Sequence, residues 1–258
     1  HSIGLNSTLK FIDSRFVIFI DPDFFILRNN FLEDITKYIV SNKLSFIGVP
    51  WHPKWNRKYR YFPCSHCLVV DTKNINKEFF DFRPINIVWD KKYSYYNSFI
   101  NKNKSLISNI FNKILKYNNF LYYNFIDRKN NCFDGDTSHR IFVNLNNSKF
   151  KYECFNPCFN IKNDWLIPLN WKINNLIEKI LPERYCFFPK NKKFNVFNSK
   201  FGDYLSNLSY EGFFWNNDIL GFHIRGHPKR MVKVRDKIKE AENVDIIFTK
   251  FNEKNYKE

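Results

Sequence analysis

Alanine occurs once in this chain, at 241, and methionine once, at 231. Lys, Asn, Ile and Phe abound in their place, as an AT-rich coding sequence would produce, so much of the Lys excess behind the formal net charge of +16 is compositional bias. The lysines are scattered along the chain and not gathered in one block, which argues against specific nucleic-acid binding. A basic surface still favours anionic partners: sugar nucleotides, acidic glycans and membrane lipids. No apolar run approaches the roughly 18 residues of a membrane span, and no charged-then-apolar leader opens the sequence. There is no internal repeat and no linker. Cysteine is sparse: Cys64, Cys67, Cys132, Cys154, Cys158 and Cys186 are too few for a secreted disulfide scaffold. They read as buried thiols of a reducing compartment. Cys64-Ser-His-Cys67 has the spacing of half a zinc site, but Cys154-x-x-x-Cys158 is a poor second half. These absences predict a cytoplasmic chain whose contact with membranes is peripheral.

What is present supports one α/β domain over 1–258, with 44% hydrophobic and 19% aromatic residues to build a core. Its organising stretch runs from Arg15 to Leu27. Phe16 to Ile20 is a continuous apolar run, expected to be a central strand of a parallel sheet buried on both faces. It leads into Asp21-Pro22-Asp23. Pro22 removes a backbone donor and fixes φ, so the ladder ends there. Two carboxylates at a strand's carboxyl end repel each other unless a cation joins them, and a hard divalent ion that also carries phosphates fits that place. The plainer reading is an Asp-Pro-Asp turn that only closes the strand.

Around this stretch, residues 1 to 14 read as a helix with Ile3, Leu9 and Ile12 on one face. Asn30 is expected to cap a helix over 31 to 41 with Leu32, Ile35 and Ile39 inward. Leu44 to Val49 and Phe62 to Asp71 read as strands. Trp51 and Trp55 lie on the loop between them, either as an aromatic platform for a sugar or base or as plugs for a core edge. His66, within the second of these strands, faces either a site or the core. Residues 75 to 125 have helical periodicity and read as an insertion. Gly135 permits a tight turn, after which Asp136 and Thr137 can cap a helix. Ile173 to Ile180 reads as a short helix. The tail from 231 to 258 reads as helix then loop, with Val244 to Phe248 as an edge strand.

Strand, Asp21-x-Asp23, apolar residues and then Asn30-Phe31-Leu32 together resemble the metal-binding signature of GT-A-fold, nucleotide-sugar-dependent glycosyltransferases. The resemblance implies a GT-A-like, Rossmann-like fold: a mainly parallel sheet flanked by helices. That family's first nucleotide-binding strand would lie before His1 here, and a chain whose only Met is at 231 is expected to be part of a longer or processed protein. Phe62 to Asp71 resembles the strand that lines the acceptor side. Leu220-Gly-Phe-His223-Ile-Arg-Gly226-His-Pro-Lys229 resembles the His-x-x-Gly-x-x-Lys of glycogenin-like and lipopolysaccharide galactosyltransferase-like enzymes. There the His completes the metal's coordination while the Gly and Lys approach the diphosphate.

Carried over residue by residue, the resemblance implies Asp21, Asp23 and His223 as metal ligands. Asn6, Arg225, Gly226 and Lys229 would meet the sugar-nucleotide donor. Asp136, with Asp134 as the second choice, would be the general base of an inverting reaction. The cation would be Mn²⁺ or Mg²⁺, with imidazole favouring Mn²⁺. The chain departs from the retaining pattern in having Arg230-Met231 after Lys229 where Pro-Trp is usual, so inversion and retention both stay open. The implied activity moves a sugar, hexosyltransferase-like, from a nucleoside-diphosphate sugar to a glycan, lipid or other hydroxyl acceptor. Two rivals use the same features. A metal-dependent phosphoesterase or nucleotidyltransferase would need a second metal about 3.5–4 Å from the first, and no tight acidic cluster offers to hold one. A non-enzymatic glycan- or nucleic-acid-binding protein would use Trp51, Trp55 and the lysines as its surface.

Overall fold

The apolar run forms its strand, β1 (Phe16–Ile20), in the computed structural model. The structure describes residues 2–53, 61–82, 141, 150–158, 176, 179, 192, 199–208, 210–224 and 234–253. β1 is followed after Asp21-Pro22-Asp23 by β2 (Phe24–Ile26), then α2 (Phe31–Asn42), β3 (Phe46–Pro50) and β4 (Pro63–Asp71). Before it lies α1 (Ser2–Lys10). After it come a 3-10 turn at Lys77–Phe79, β5 (Tyr152–Cys154), β6 (Asn156–Cys158), α3 (Lys200–Asn207), β7 (Glu211–Trp215), β8 (Asp218–His223) and α4 (Val234–Asn252).

The described strands make two four-stranded sheets, ordered β1-β4-β3-β5 and β2-β8-β7-β6. Only β3 with β5 is parallel among the described pairings; the second sheet is antiparallel throughout. The fold is therefore mixed α/β, and the expectation of a mainly parallel sheet with β1 at its centre is corrected. β1 ends the order of its sheet and pairs β4 antiparallel, Phe16 opposite Asp71 and Ile20 opposite Cys67. An unbroken apolar run reports burial, not strand direction. Here Val17 and Phe19 are buried while Phe16 and Ile18 are half-buried, so both faces are covered, but unequally.

The helices correct the sequence reading in instructive ways. In α2 the inward stripe is Phe31, Ile35 and Ile39, spaced by four, and Leu32 points outward at 60% exposure. Asn30 sits in the left-handed region at φ 56° and makes no side-chain cap; its carbonyl instead accepts from the Asp34 amide. α1 ends at Lys10, with Ile3 at 76% exposure and Leu5 packed on the core. Val244–Phe248 is not a strand but part of α4, whose Val244, Ile247, Phe248 and Phe251 pack on the same cluster with a period between three and four. α3, which the sequence reading passed over, is capped by Ser199, whose Oγ accepts from the Gly202 amide at 2.9 Å.

Among the described residues the core falls into three clusters. One joins β1, β4 and Phe80–Phe82. The middle one binds α2 to both sheets through Ile35, Ile39, Ile47, Val69, Phe213 and Leu220. The third seats α3 and α4 on the second sheet. The chain crosses between sheets twice within a few residues: at Asp21-Pro22-Asp23 between β1 and β2, and at Phe155 between β5 and β6. No described helix is long and apolar enough to cross a membrane. The four described cysteines are dispersed over the three clusters, Cys64 and Cys67 in one, Cys154 and Cys158 each in another, which does not assemble the zinc site that their spacing half suggested.

Candidate metal centre

The crossing at Asp21-Pro22-Asp23 is pinned to both sheets by its backbone. The Asp21 amide donates to the His66 carbonyl at 2.9 Å, and the Phe24 amide closes the turn onto the Asp21 carbonyl at 3.0 Å. The Ile224 amide donates to the Asp23 carbonyl at 2.9 Å, and Phe24 stands opposite His223 in the β2–β8 register. Asp21 is thus tied beside His66 in the first sheet, and Asp23 beside His223 in the second.

The stretch of β4 that holds His66 is irregular. Between Gly48 and Pro50 β3 advances two positions, while β4 runs from Leu68 back to Pro63, so β4 carries extra residues across His66. A bulge of this kind bends a strand and redirects a side chain. Gly221 helps at the other sheet: a Cβ there would collide with the Phe25 carbonyl, so its absence lets β8 lie close to β2.

The side chains converge. His66 Nδ1–H donates to Asp21 Oδ2 at 2.6 Å, and His223 Nε2–H donates to Asp23 Oδ1 at 2.9 Å. His223 Nδ1–H donates to Glu211 Oε2 at 3.2 Å, with both groups 1% exposed. The two imidazoles stack at 4.6 Å between centroids and 27° between planes. Trp51 closes one side, edge-on to His66 at 4.7 Å, and Phe24 lies 6.1 Å from His223. Exposure rises across the group, from 1% at His223 and 5% at His66 to 15% at Asp21 and 38% at Asp23. The centre is mostly buried, with Asp23 on its exposed side.

Burial pulls the His223 pKa down, but the hydrogen bonds to Asp23 and Glu211, with their charges, outweigh it and leave the imidazole above its ordinary value. Those carboxylates hold a positive charge at that place, whether a proton or a cation supplies it.

Ligand atoms of Asp21, His66 and His223 all lie within 4.8 Å of one another. Around a small divalent ion with bonds near 2.1 Å, adjacent ligand atoms stand about 3 Å apart and opposite ones about 4.2 Å. A shared ion would draw these atoms closer together, and carboxylate and imidazole are both ordinary ligands. The donor set fits a metal ion.

Of the sequence-derived site residues, Asp21, Asp23 and His223 are brought together. Asn6 is hydrogen-bonded to residues 81 and 82: its Nδ2 donates to Asp81 Oδ1 at 3.0 Å, and its Oδ1 accepts from the Phe82 amide at 2.9 Å. Trp51 is a core plug at 3% exposure. Asp134, Asp136, Arg225, Gly226, Lys229 and Trp55 lie outside the described residues. Sequence reasoning left His66 open between a site and the core, and it missed Glu211. The signal for His66 was present as a polar residue in an otherwise apolar strand; Glu211, twelve positions before His223, carried none until the β7–β8 register set the two opposite each other. Comparison of the chain with protein-family models, with curated proteins and with solved structures finds no match.

Proposed function

We propose that this chain is a metal-dependent glycosyltransferase of GT-A-like type, moving a sugar from a nucleoside-diphosphate sugar to a hydroxyl acceptor on a glycan or lipid. The observation that carries the reading is that His223, some two hundred positions further on, is grouped with Asp21 and hydrogen-bonded to Asp23 in one partly buried place. Those are the residues that the Asp-x-Asp and His-x-x-Gly-x-x-Lys resemblances nominate independently. Their chemistry supports it too. A divalent cation bound there would offset the charge of a departing diphosphate. Asp23, on the exposed side, is the carboxylate nearest to an arriving donor.

The remaining roles follow from the resemblance alone. Gly226 and Lys229 would approach the diphosphate, Arg225 beside them, and Asp136 would take the acceptor's proton if the configuration inverts. Mn²⁺ is preferred to Mg²⁺ on the strength of the imidazole. A panel of UDP- and GDP-sugars, incubated with and without Mn²⁺, tests the proposal. Mn²⁺-dependent donor hydrolysis that disappears in Asp21→Ala and Asp23→Ala is expected. Hydrolysis that persists in both variants would remove the site from the mechanism. Cleavage of phosphodiesters in place of sugar nucleotides would favour the phosphoesterase reading.

A further inference from the structure

We infer that His66 is a metal ligand and that the cation is held by one carboxylate and two imidazoles, from Asp21, His66 and His223, with Glu211 as the residue that positions His223. The inference rests on the metal reading above and changes its composition: two charged oxygens and one nitrogen become one charged oxygen and two nitrogens. Four observations carry it. His66 Nδ1 and Asp21 Oδ2 are already paired by a 2.6 Å hydrogen bond, so a cation that replaces its proton finds both groups side by side. The imidazoles of His66 and His223 lie face to face, with Asp21 completing a group whose ligand atoms fall within 4.8 Å. β4 pairs irregularly with β3 between Leu68 and Pro63, the stretch that holds His66. Glu211, 1% exposed, accepts from His223 Nδ1 and so leaves Nε2, whose proton now goes to Asp23, as the atom that would exchange that proton for the metal, the arrangement by which buried carboxylates orient metal-binding histidines.

The chemical consequence is selectivity. Mg²⁺ prefers oxygen and gives up its water reluctantly, whereas Mn²⁺, Co²⁺ and Zn²⁺ accept imidazole readily. A centre with two imidazoles therefore selects a transition-series ion, with Mg²⁺ at least a hundredfold weaker. Three protein ligands also leave coordination positions for the oxygens of a diphosphate.

The test counts nitrogens on the whole chain loaded with Mn²⁺, by pulsed electron paramagnetic resonance of ¹⁴N couplings, and compares Mn²⁺ with Mg²⁺ affinity by competition. Two imidazole couplings are expected in the unaltered protein. His66→Gln should leave one and weaken Mn²⁺ at least tenfold. Glu211→Gln should keep both couplings while affinity falls by about 10–100-fold. A single coupling in the unaltered protein, or equal affinity for Mg²⁺ and Mn²⁺, would overturn the inference, and this count does not depend on any variant folding. Donor hydrolysis measured on the same samples separates the two ideas. Two nitrogens without hydrolysis leave the centre standing and sink the glycosyltransferase reading; hydrolysis at a one-nitrogen centre does the reverse. Absence of any bound Mn²⁺ contradicts both.

Discussion

Two carboxylates in the first sheet, Asp71 and Asp21, show how similar residues serve different ends. Asp71 is fully buried and consumed by the fold: Arg15 grips it with Nε at 3.2 Å and Nη2 at 3.0 Å, and the Lys73 amide and Asn74 Nδ2 each donate at 3.1 Å. Asp21 is 15% exposed and faces an imidazole that can exchange its proton for a metal. Asp71→Ala is expected to cost about 1.5–3 kcal/mol for charged hydrogen bonds lost, read as a lower urea midpoint, with metal affinity of the folded fraction unchanged. Asp21→Ala should do the opposite, abolishing metal binding with little loss of stability. Tyr38 supplies a pH dependence. Its hydroxyl donates to Glu153 at 2.8 Å, and burial, then that hydrogen bond, pushes its pKa from 10.0 up to about 12. The unfolded chain ionises this phenol first, so its contribution is complete below pH 10 and is lost as pH rises through about 12. Tyr38→Phe should therefore flatten the alkaline decline of the urea midpoint across that window; an unchanged slope would show that Tyr38 does not contribute to it.

At the scale of elements, periodicity told more truth about which segments are regular than about which way they face. α2 and β1, β3 and β4 were legible because their apolar runs are long and unmixed. The stripe of α2 was misread by one position because Phe31 and Leu32 are both apolar and only packing chooses between them; the choice falls to Phe31, four positions from Ile35. Val244 to Phe248 passed for a strand because five residues cannot distinguish alternation from a helical face. A pair of substitutions separates the two. Ile247 is fully buried, and Ile246 beside it is 43% exposed. Ile247→Ala is expected to cost about 2–5 kcal/mol, whereas Ile246→Ala should stay within about 0.5 kcal/mol. A strand would not place 247 with 244 and 248 on one face, so reversed costs would contradict the helix.

For the molecule as a whole, the centre joins two sheets whose common core is the middle cluster around α2. Half of this arrangement was readable in advance. Asp21, Asp23 and His223 stand out because charged or polar residues end apolar strands. Sheet direction, the bulge at His66 and the partnership of His223 with Glu211 were not readable, since each depends on pairing between segments distant in sequence. A ligand shared by both sheets must hold them together: at a free metal concentration a hundredfold above Kd, the folded state gains about 2.7 kcal/mol. Mn²⁺ should accordingly raise the melting temperature of the unaltered chain and leave that of His223→Ala unmoved. An equal rise in both would place the ion elsewhere.

The most direct trial of the central claim is an anomalous-difference map at the manganese edge from crystals grown with Mn²⁺. A single strong peak bonded to Asp21, His66 and His223, with Asp23 beside it, is the predicted result. A peak away from the crossing of the two sheets, or none there while the ion occupies other carboxylates, would contradict it.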